Sequence, residues 1–319
     1  MDRPACLLCN TAGEVLYAHL HDRLYDVPGE WTLCICPSCG LVWLNPLPIE
    51  DDVSKVYNSY FTHETGKPAW QSDNPVYRAW VKAGGVYRAA INNSFMGQMR
   101  RRADSMYLGS VMPGRLLDVG CGDGGWLAKM KTLGWQVEGQ ETDADAASYA
   151  MRVHGVTVHV GLLHELHLPP STFDAITLSH VIEHVHDPIA VLAECRRLLK
   201  PHGRLIALTP NVESYGHKRF GVNWVALEPP RHLTLFSPAT LAEVAKRAGF
   251  AQTDVQTTQV RAQFIHIASS DIQRSGRHAL HHSYSLAKLA PAMTYEWQAW
   301  SAWRNDPSSG DELVLEARP

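Results

Sequence analysis

Five of the seven cysteines in this 319-residue chain fall within its first 39 residues, as Cys6-Leu-Leu-Cys9 and Cys34-Ile-Cys36-Pro-Ser-Cys39. Two Cys-x-x-Cys knuckles, separated by the 26 residues from Asn10 to Ile35, each offer two thiolates from one tight turn. Together they can close a tetrahedral sulfur site. The spacing assigns a structural zinc to Cys6, Cys9, Cys36 and Cys39, with Cys34 packed inward from a strand. Disulfides are the competing account, disfavoured by the intracellular look of the chain. Cys121 and Cys195 stand alone with no base beside them and read as small packing residues.

A different chemistry is written in Leu116-Leu-Asp118-Val-Gly120-Cys-Gly122-Asp-Gly124-Gly125. The apolar run from Arg115 to Val119 has the character of a buried parallel strand. Glycines then let the backbone turn sharply and approach a ligand, and Trp126-Leu-Ala-Lys-Met-Lys-Thr-Leu begins a helix whose N-terminal amides face it. Glu141 lies 23 residues after Asp118, at the end of the next strand, Gln136-Val-Glu-Gly-Gln. That is close to the roughly 20-residue spacing at which Rossmann-type folds set a carboxylate on ribose hydroxyls. The acidic entry residue Asp118 would repel a pyrophosphate and suits an ammonium or an ordered water, so the loop favours a nucleoside cofactor without phosphates.

These residues resemble the Rossmann-like S-adenosylmethionine-dependent methyltransferases. Phe173-Asp-Ala-Ile-Thr-Leu-Ser-His180-Val-Ile-Glu183-His184-Val-His-Asp187-Pro188 looks like the family's fourth strand and turn, and Gly203-Arg-Leu-Ile-Ala-Leu-Thr-Pro210-Asn211 like its fifth. The resemblance implies an α/β fold, a Rossmann-like seven-stranded methyltransferase sheet carrying an N-terminal zinc ribbon and a helical connector. It implies that Asp118, Gly120 and Gly122 shape the methionine end of S-adenosylmethionine. Glu141 takes the ribose, Thr142 and Leu162 border the adenine, and Ser179 and His180 sit near the sulfonium.

His180-Val-Ile-Glu183-His184 also matches the His-x-x-Glu-His pattern of inverted zinc peptidases. A peptidase needs that motif inside a helix, whereas here it follows a buried strand. Some quinone-type O-methyltransferases hold a divalent ion with an acidic and histidine cluster at this position; Glu183 and His184 match, but His180 replaces the first acidic residue. Methyl transfer needs in-line approach, exclusion of water and often a base for the departing proton. His232 and His184 are the candidate catalytic bases. The run from Arg231-His232-Leu to Gly249-Phe resembles small-molecule methyltransferases, and His232-Leu-Thr-Leu-Phe-Ser resembles the surroundings of a catalytic histidine in sugar C-methyltransferases with a similar zinc element. Those enzymes carry Tyr and Glu before the histidine, where this chain has Glu228-Pro-Pro-Arg231, so O-methylation of a sugar, glycan precursor or natural product is the expected reaction. An RNA methyltransferase docked by its ribbon and a non-catalytic binding scaffold are the alternatives.

The elements that must position these residues follow from the landmarks. Residues 1–48 form the ribbon, closed by Pro46 and Pro48. A helical connector and cofactor lid occupy 49–112, with Tyr77, Trp80, Val81, Tyr87, Ile91, Phe95 and Met99 at helical spacing and Tyr57, Tyr60 and Phe61 as lid candidates. Residues 113–319 form the catalytic domain, with strands alternating with helices and insertions at 212–237 and 269–310. Ser237, Pro238 and Gly249 mark a helix's start and end. Val260 to Ala268 and Glu312 to Arg318 are expected as the last two strands, the final one antiparallel. In the second insertion Leu286, Leu289, Met293, Trp297 and Trp300 mark one helical face, interrupted by Pro291.

Composition fits an ordinary enzyme: 45% hydrophobic, 19% charged, formal net charge -3. The charge argues against a nucleic-acid binder, and Arg100-Arg101-Arg102 reads as a solvated helix face. No apolar run approaches the ~18 residues of a membrane span, and the first residues lack a signal-peptide core, so a cytoplasmic location and a small-molecule acceptor are expected.

Overall fold

The computed structural model describes residues 1–49, 94–279 and 286–319. The connector positions Tyr57, Tyr60, Phe61, Tyr77, Trp80, Val81, Tyr87 and Ile91 lie outside the described residues.

Strands β4 (Arg115–Val119), β5 (Gln136–Glu141), β6 (Thr157–Val160), β7 (Phe173–Ser179), β8 (Leu199–Pro210), β10 (Gln252–Thr258) and β11 (Glu312–Arg318) form one sheet, ordered β10-β11-β8-β7-β4-β5-β6. β4 pairs in parallel with β5 and β7, and β8 in parallel with β7. The last strand, β11, inserts antiparallel between β8 and β10. The central strands β4, β7 and β8 carry apolar residues on both faces because both are covered. Leu117, Val119, Ile176, Leu178, Leu205 and Ala207 belong to one core, whereas Leu116, Ala175, Ile206 and Leu208, one residue out of phase, belong to another. That alternation is the period of two of a pleated strand.

Helices α2 (Gly125–Thr132), α3 (Ala144–Tyr149), α4 (Pro188–Leu198) and α6 (Pro238–Arg247) link the strands, following α1 (Phe95–Asp104). α6 begins as its sequence requires: Ser237 and Thr240 form a reciprocal capping box and Pro238 occupies the first turn. Met99 is buried against Trp300, while Phe95 is 54% exposed beside it.

The expected strand from Val260 to Ala268 is instead part of α7 (Ala262–Ser275). Five of its six buried residues, Ala262, Ile265, Ala268, Ser269 and Ile272, recur at three and four, a helical period that a short β-branched run conceals. The strand in question is β10, polar and largely exposed at the sheet edge, where few apolar residues advertise it. α7 packs with α8 (Leu286–Asn305), which runs through Pro291. The inward face of α8 carries Ala292, Tyr295, Glu296, Ala299 and Trp300, whereas Trp297 is 61% exposed. The face expected from the large apolar residues is therefore rotated. Glu296 turns inward because Arg100 (2.5 Å) and Gln263 (2.6 Å) satisfy its carboxylate.

The N-terminal strands β1 (Glu14–Leu20), β2 (Trp31–Ile35) and β3 (Val42–Leu44) form a second, antiparallel sheet. Its fourth strand is β9 (Thr234–Leu235), supplied from the segment after β8, with Trp43 opposite Thr234 and Val42 opposite Leu235. That segment, which includes the short helix α5 (Tyr215–Phe220), is largely buried rather than a solvent excursion. Among the described residues no helix is long and apolar enough to cross a membrane.

Candidate functional site

The glycine loop leaves β4 at the carboxyl edge of the sheet. Gly120 adopts φ +70°, and a Cβ there would meet Val181 at 2.5 Å. Gly120 and Cys121 donate their amides to the Gln140 carbonyl at 2.9 and 3.0 Å. The Gln140 side chain accepts from Gly120 (3.2 Å) and donates to the Gly161 carbonyl (2.7 Å), binding the glycine loop to the turn after β6. Sequence reading passed over Gln140, because it lies in a strand that is polar at four of its six positions and carries no signal of its own.

Glu141 closes the loop. Its Oε2 accepts the Gly122 amide at 2.8 Å, and its Oε1 accepts the amides of Thr142 (2.7 Å) and Asp143 (3.0 Å). A carboxylate has about four lone-pair sites, so Oε2 retains one for a hydroxyl. Gly122, at φ +53°, faces open space, Leu162 is 45% exposed after Gly161, and Thr142 and Ser179 are exposed. A glycine cradle, a carboxylate with a spare acceptor and an exposed apolar side chain fit a nucleoside such as S-adenosylmethionine. Asp118 is a different case. It is buried and accepts Thr177 Oγ1 at 2.7 Å. Burial pushes its carboxyl up to about 7, opposed by the Thr177 bond and reinforced by the Glu141 charge. Asp118 therefore ties β4 to β7 and shapes the loop from beneath.

His180, at φ +55°, is gripped from both ring nitrogens, Nδ1 to Glu183 (3.0 Å) and Nε2 to Glu312 (2.8 Å). Burial works against the charged ring, but the two carboxylates push it up to about 9, so it is an imidazolium. Glu183, although buried, is held down to about 2 by His180 and also accepts Thr209 Oγ1 at 2.9 Å. Glu312, read in the sequence only as the start of the last strand, completes this network from the start of β11.

His184 and His232 come together with ring centroids 4.7 Å apart. His184 Nδ1 donates to the Arg231 carbonyl (3.0 Å) and His232 Nδ1 to the Ala226 carbonyl (2.8 Å). A carbonyl only accepts, so each ring is fixed with its proton on Nδ1 and its basic lone pair on Nε2. Burial lowers both to about 4, so both are neutral at neutral pH. The Leu233 amide donates to the Glu183 carbonyl at 2.7 Å and joins the two histidine loops. Glu228 Oε2 lies 3.6 Å from His232 Nε2. Glu183, His184 and His232 each present a ligand atom within 4.8 Å of the others, an arrangement able to hold a divalent ion. The peptidase pattern is not assembled: residues 182–184 form a single 3-10 turn, and both nitrogens of His180 are engaged by carboxylates.

The four knuckle cysteines converge. Sγ separations are 3.5 Å for Cys6 and Cys39, 3.2 Å for Cys9 and Cys36, and 3.9 Å for Cys9 and Cys39. A tetrahedron with zinc–sulfur bonds of about 2.3 Å has edges of about 3.8 Å. All seven cysteines are free, and Cys34 is buried outside the cluster. Burial pushes the thiols of Cys121 and Cys195 up, as inert packing groups require.

Residues 97–255, just under half of the chain, match a family model described as a methyltransferase domain. The chain is 34% identical over 155 residues to a ubiquinone biosynthesis O-methyltransferase of Paraburkholderia phymatum, covering 44% of this chain and 66% of that one. It is 32% identical over 154 residues to the protein of the same name from Xanthomonas oryzae, covering 44% and 64%. The alignments thus span just under two thirds of these relatives' own length. Among solved structures, phosphoethanolamine N-methyltransferase 2 of Haemonchus contortus, in complex with S-adenosylmethionine, superposes with a TM-score of 0.47 at 21% identity, covering 69% of this chain and 52% of that one. Residues 97–255 are thus similar to a methyltransferase domain, and they lie on a seven-stranded, mostly parallel sheet of the Rossmann-like methyltransferase fold.

Proposed function

We propose that this chain transfers a methyl group from S-adenosylmethionine to a hydroxyl of a small-molecule acceptor, with a sugar, glycan precursor or natural product as the first choice. The observation that carries the reading is the pair of neutral imidazoles, His184 and His232, with Nδ1 of each held by a backbone carbonyl. Relatives named for O-methylation in ubiquinone biosynthesis support oxygen as the acceptor atom. The sugar choice rests on the His232-Leu-Thr-Leu-Phe-Ser run.

The cofactor supplies an electrophilic methyl on a sulfonium. Gly120 and Gly122 cradle its amino-acid end, Glu141 accepts from its ribose, and Thr142 and Leu162 flank its base. Ser179 and the carboxylate-neutralised His180 border the reacting centre. On the acceptor side, His232 accepts the hydroxyl proton at Nε2, and the resulting imidazolium faces Glu228. His184 stands against it and excludes water. Cys6, Cys9, Cys36 and Cys39 hold a structural zinc in this account, and reduced cysteines suit a cytoplasmic location.

The test is formation of S-adenosylhomocysteine with panels of sugar nucleotides, free sugars and phenols, comparing the wild type with His232→Gln. The account expects turnover with a hydroxyl acceptor and a loss of about 100-fold or more in kcat for the variant, the scale of general-base catalysis. Turnover only with amines, or full activity without His232, would contradict it.

A further inference from the structure

We infer that Asp22 of the N-terminal ribbon is a positioning residue for His232, acting through Arg231, so that the cysteine-bearing sheet is a working part of the acceptor site. The inference rests on the reading of His232 as the acceptor-side base.

The Asp22 and Arg231 side chains have no exposed surface. Arg231 Nη1 and Nη2 each donate to one Asp22 oxygen at 2.7 Å, a bidentate fork. Asp22 is itself pinned, accepting the amides of Leu24 (3.0 Å), Tyr25 (3.1 Å) and Val27 (3.2 Å). The guanidinium lies 4.4 Å from the centroid of the Tyr25 ring, and its Nε donates to Glu228 at 2.9 Å. The planar fork therefore has its position and its rotation set by the ribbon.

The Arg231 backbone occupies the middle of the histidine pair. Its carbonyl accepts His184 Nδ1, and the next residue is His232, whose amide donates to the Glu228 carbonyl at 3.1 Å. Glu228, at φ +35°, opens the turn that carries His232, and the Arg231 guanidinium joins that residue to Asp22 of the ribbon. Removing two charges from water is expensive, and an apolar pair of similar size packs about as stably. A buried ion pair aimed at one loop is thus better explained by the geometry it imposes than by the stability it adds.

The test measures histidine 15N shifts at pH 8 on the zinc-loaded full chain, in the wild type, Arg231→Met, Arg231→Lys and the double variant Asp22→Leu/Arg231→Met. A hydrogen bond biases the two tautomers roughly fivefold, so wild-type His232 is expected in the Nδ1–H form. Arg231→Met should mix the tautomers and lower the melting temperature. Arg231→Lys, which keeps the charge without the fork, should also mix them and provides the comparison if Arg231→Met does not fold. The double variant, which removes the unpaired Asp22 charge but leaves Glu228 without its Arg231 partner and three amides without their acceptor, should regain part of the melting temperature while His232 stays mixed. A double variant, or a folded Arg231→Lys, that keeps the wild-type His232 signature would overturn the inference and leave the latch purely structural. Failure of the base reading would show separately, as a fully active His232→Gln protein with the tautomer results intact.

Discussion

At the scale of single residues, Glu141 holds the glycine loop through the Gly122 amide, and in the proposed reading its second Oε2 lone pair accepts a ligand hydroxyl. Glu141→Ala should weaken S-adenosylmethionine binding by about 1.5–3 kcal/mol, the range for a hydrogen bond to a charged group. Calorimetric titration of the variant reads this directly, and unchanged affinity would refute the role. His180 carries a pH signature. Its folded value, about 9, lies above the ordinary 6.5, so its pairing with Glu183 and Glu312 stabilises the protein fully below pH 6.5. That contribution is lost as the pH rises through 9. His180→Gln leaves the fully buried Glu183 without its cation and should cost about 3 kcal/mol at pH 6, with the difference from wild type shrinking above pH 9 in denaturant unfolding. An equal difference at both pH values would contradict the imidazolium assignment. The glycine loop and Glu141 were legible in the sequence because strand–turn–helix chemistry is local. Gln140, Glu312 and the Asp22–Arg231 pair were not, because their partners lie 20 to 209 residues away.

At the scale of elements, the cysteine knuckles were readable from spacing alone, but their integration was not. β3 pairs with β9, and Cys6, Leu8, Cys36, Leu41 and Trp43 share one core with Leu178, Ile182 and Phe236. The knuckles are therefore part of the larger domain's packing. With the proposed zinc bound at the four cysteines, stripping it with a strong chelator should remove several kcal/mol of folding energy and lower the melting temperature of the whole chain by roughly 5 °C or more. Differential scanning calorimetry should show one shifted transition; a separate ribbon transition above an unmoved main peak would show the two sheets to be independent. The mistaken strand at 260–268 has the opposite cause. α7 and β10 are assigned by where their faces are buried, and a polar edge strand carries almost no local signal.

At the scale of the whole molecule, the sheet gathers the carboxyl ends of β4, β5, β7 and β8 into one edge, with the nucleoside loop and the histidine pair both at that edge. α7 and α8 stand between β10 and β11 in sequence, and the ribbon sheet grips the segment that leaves β8. The arrangement is that of a methyltransferase domain buttressed by elements lying outside the family-matched residues. The most direct test of this account is calorimetric titration of S-adenosylmethionine and S-adenosylhomocysteine into the purified, zinc-loaded chain. The account predicts saturable one-to-one binding of both, weakened in Glu141→Ala and retained in His232→Gln. Absence of binding by either compound would contradict it and point to a methyltransferase fold that serves as a scaffold.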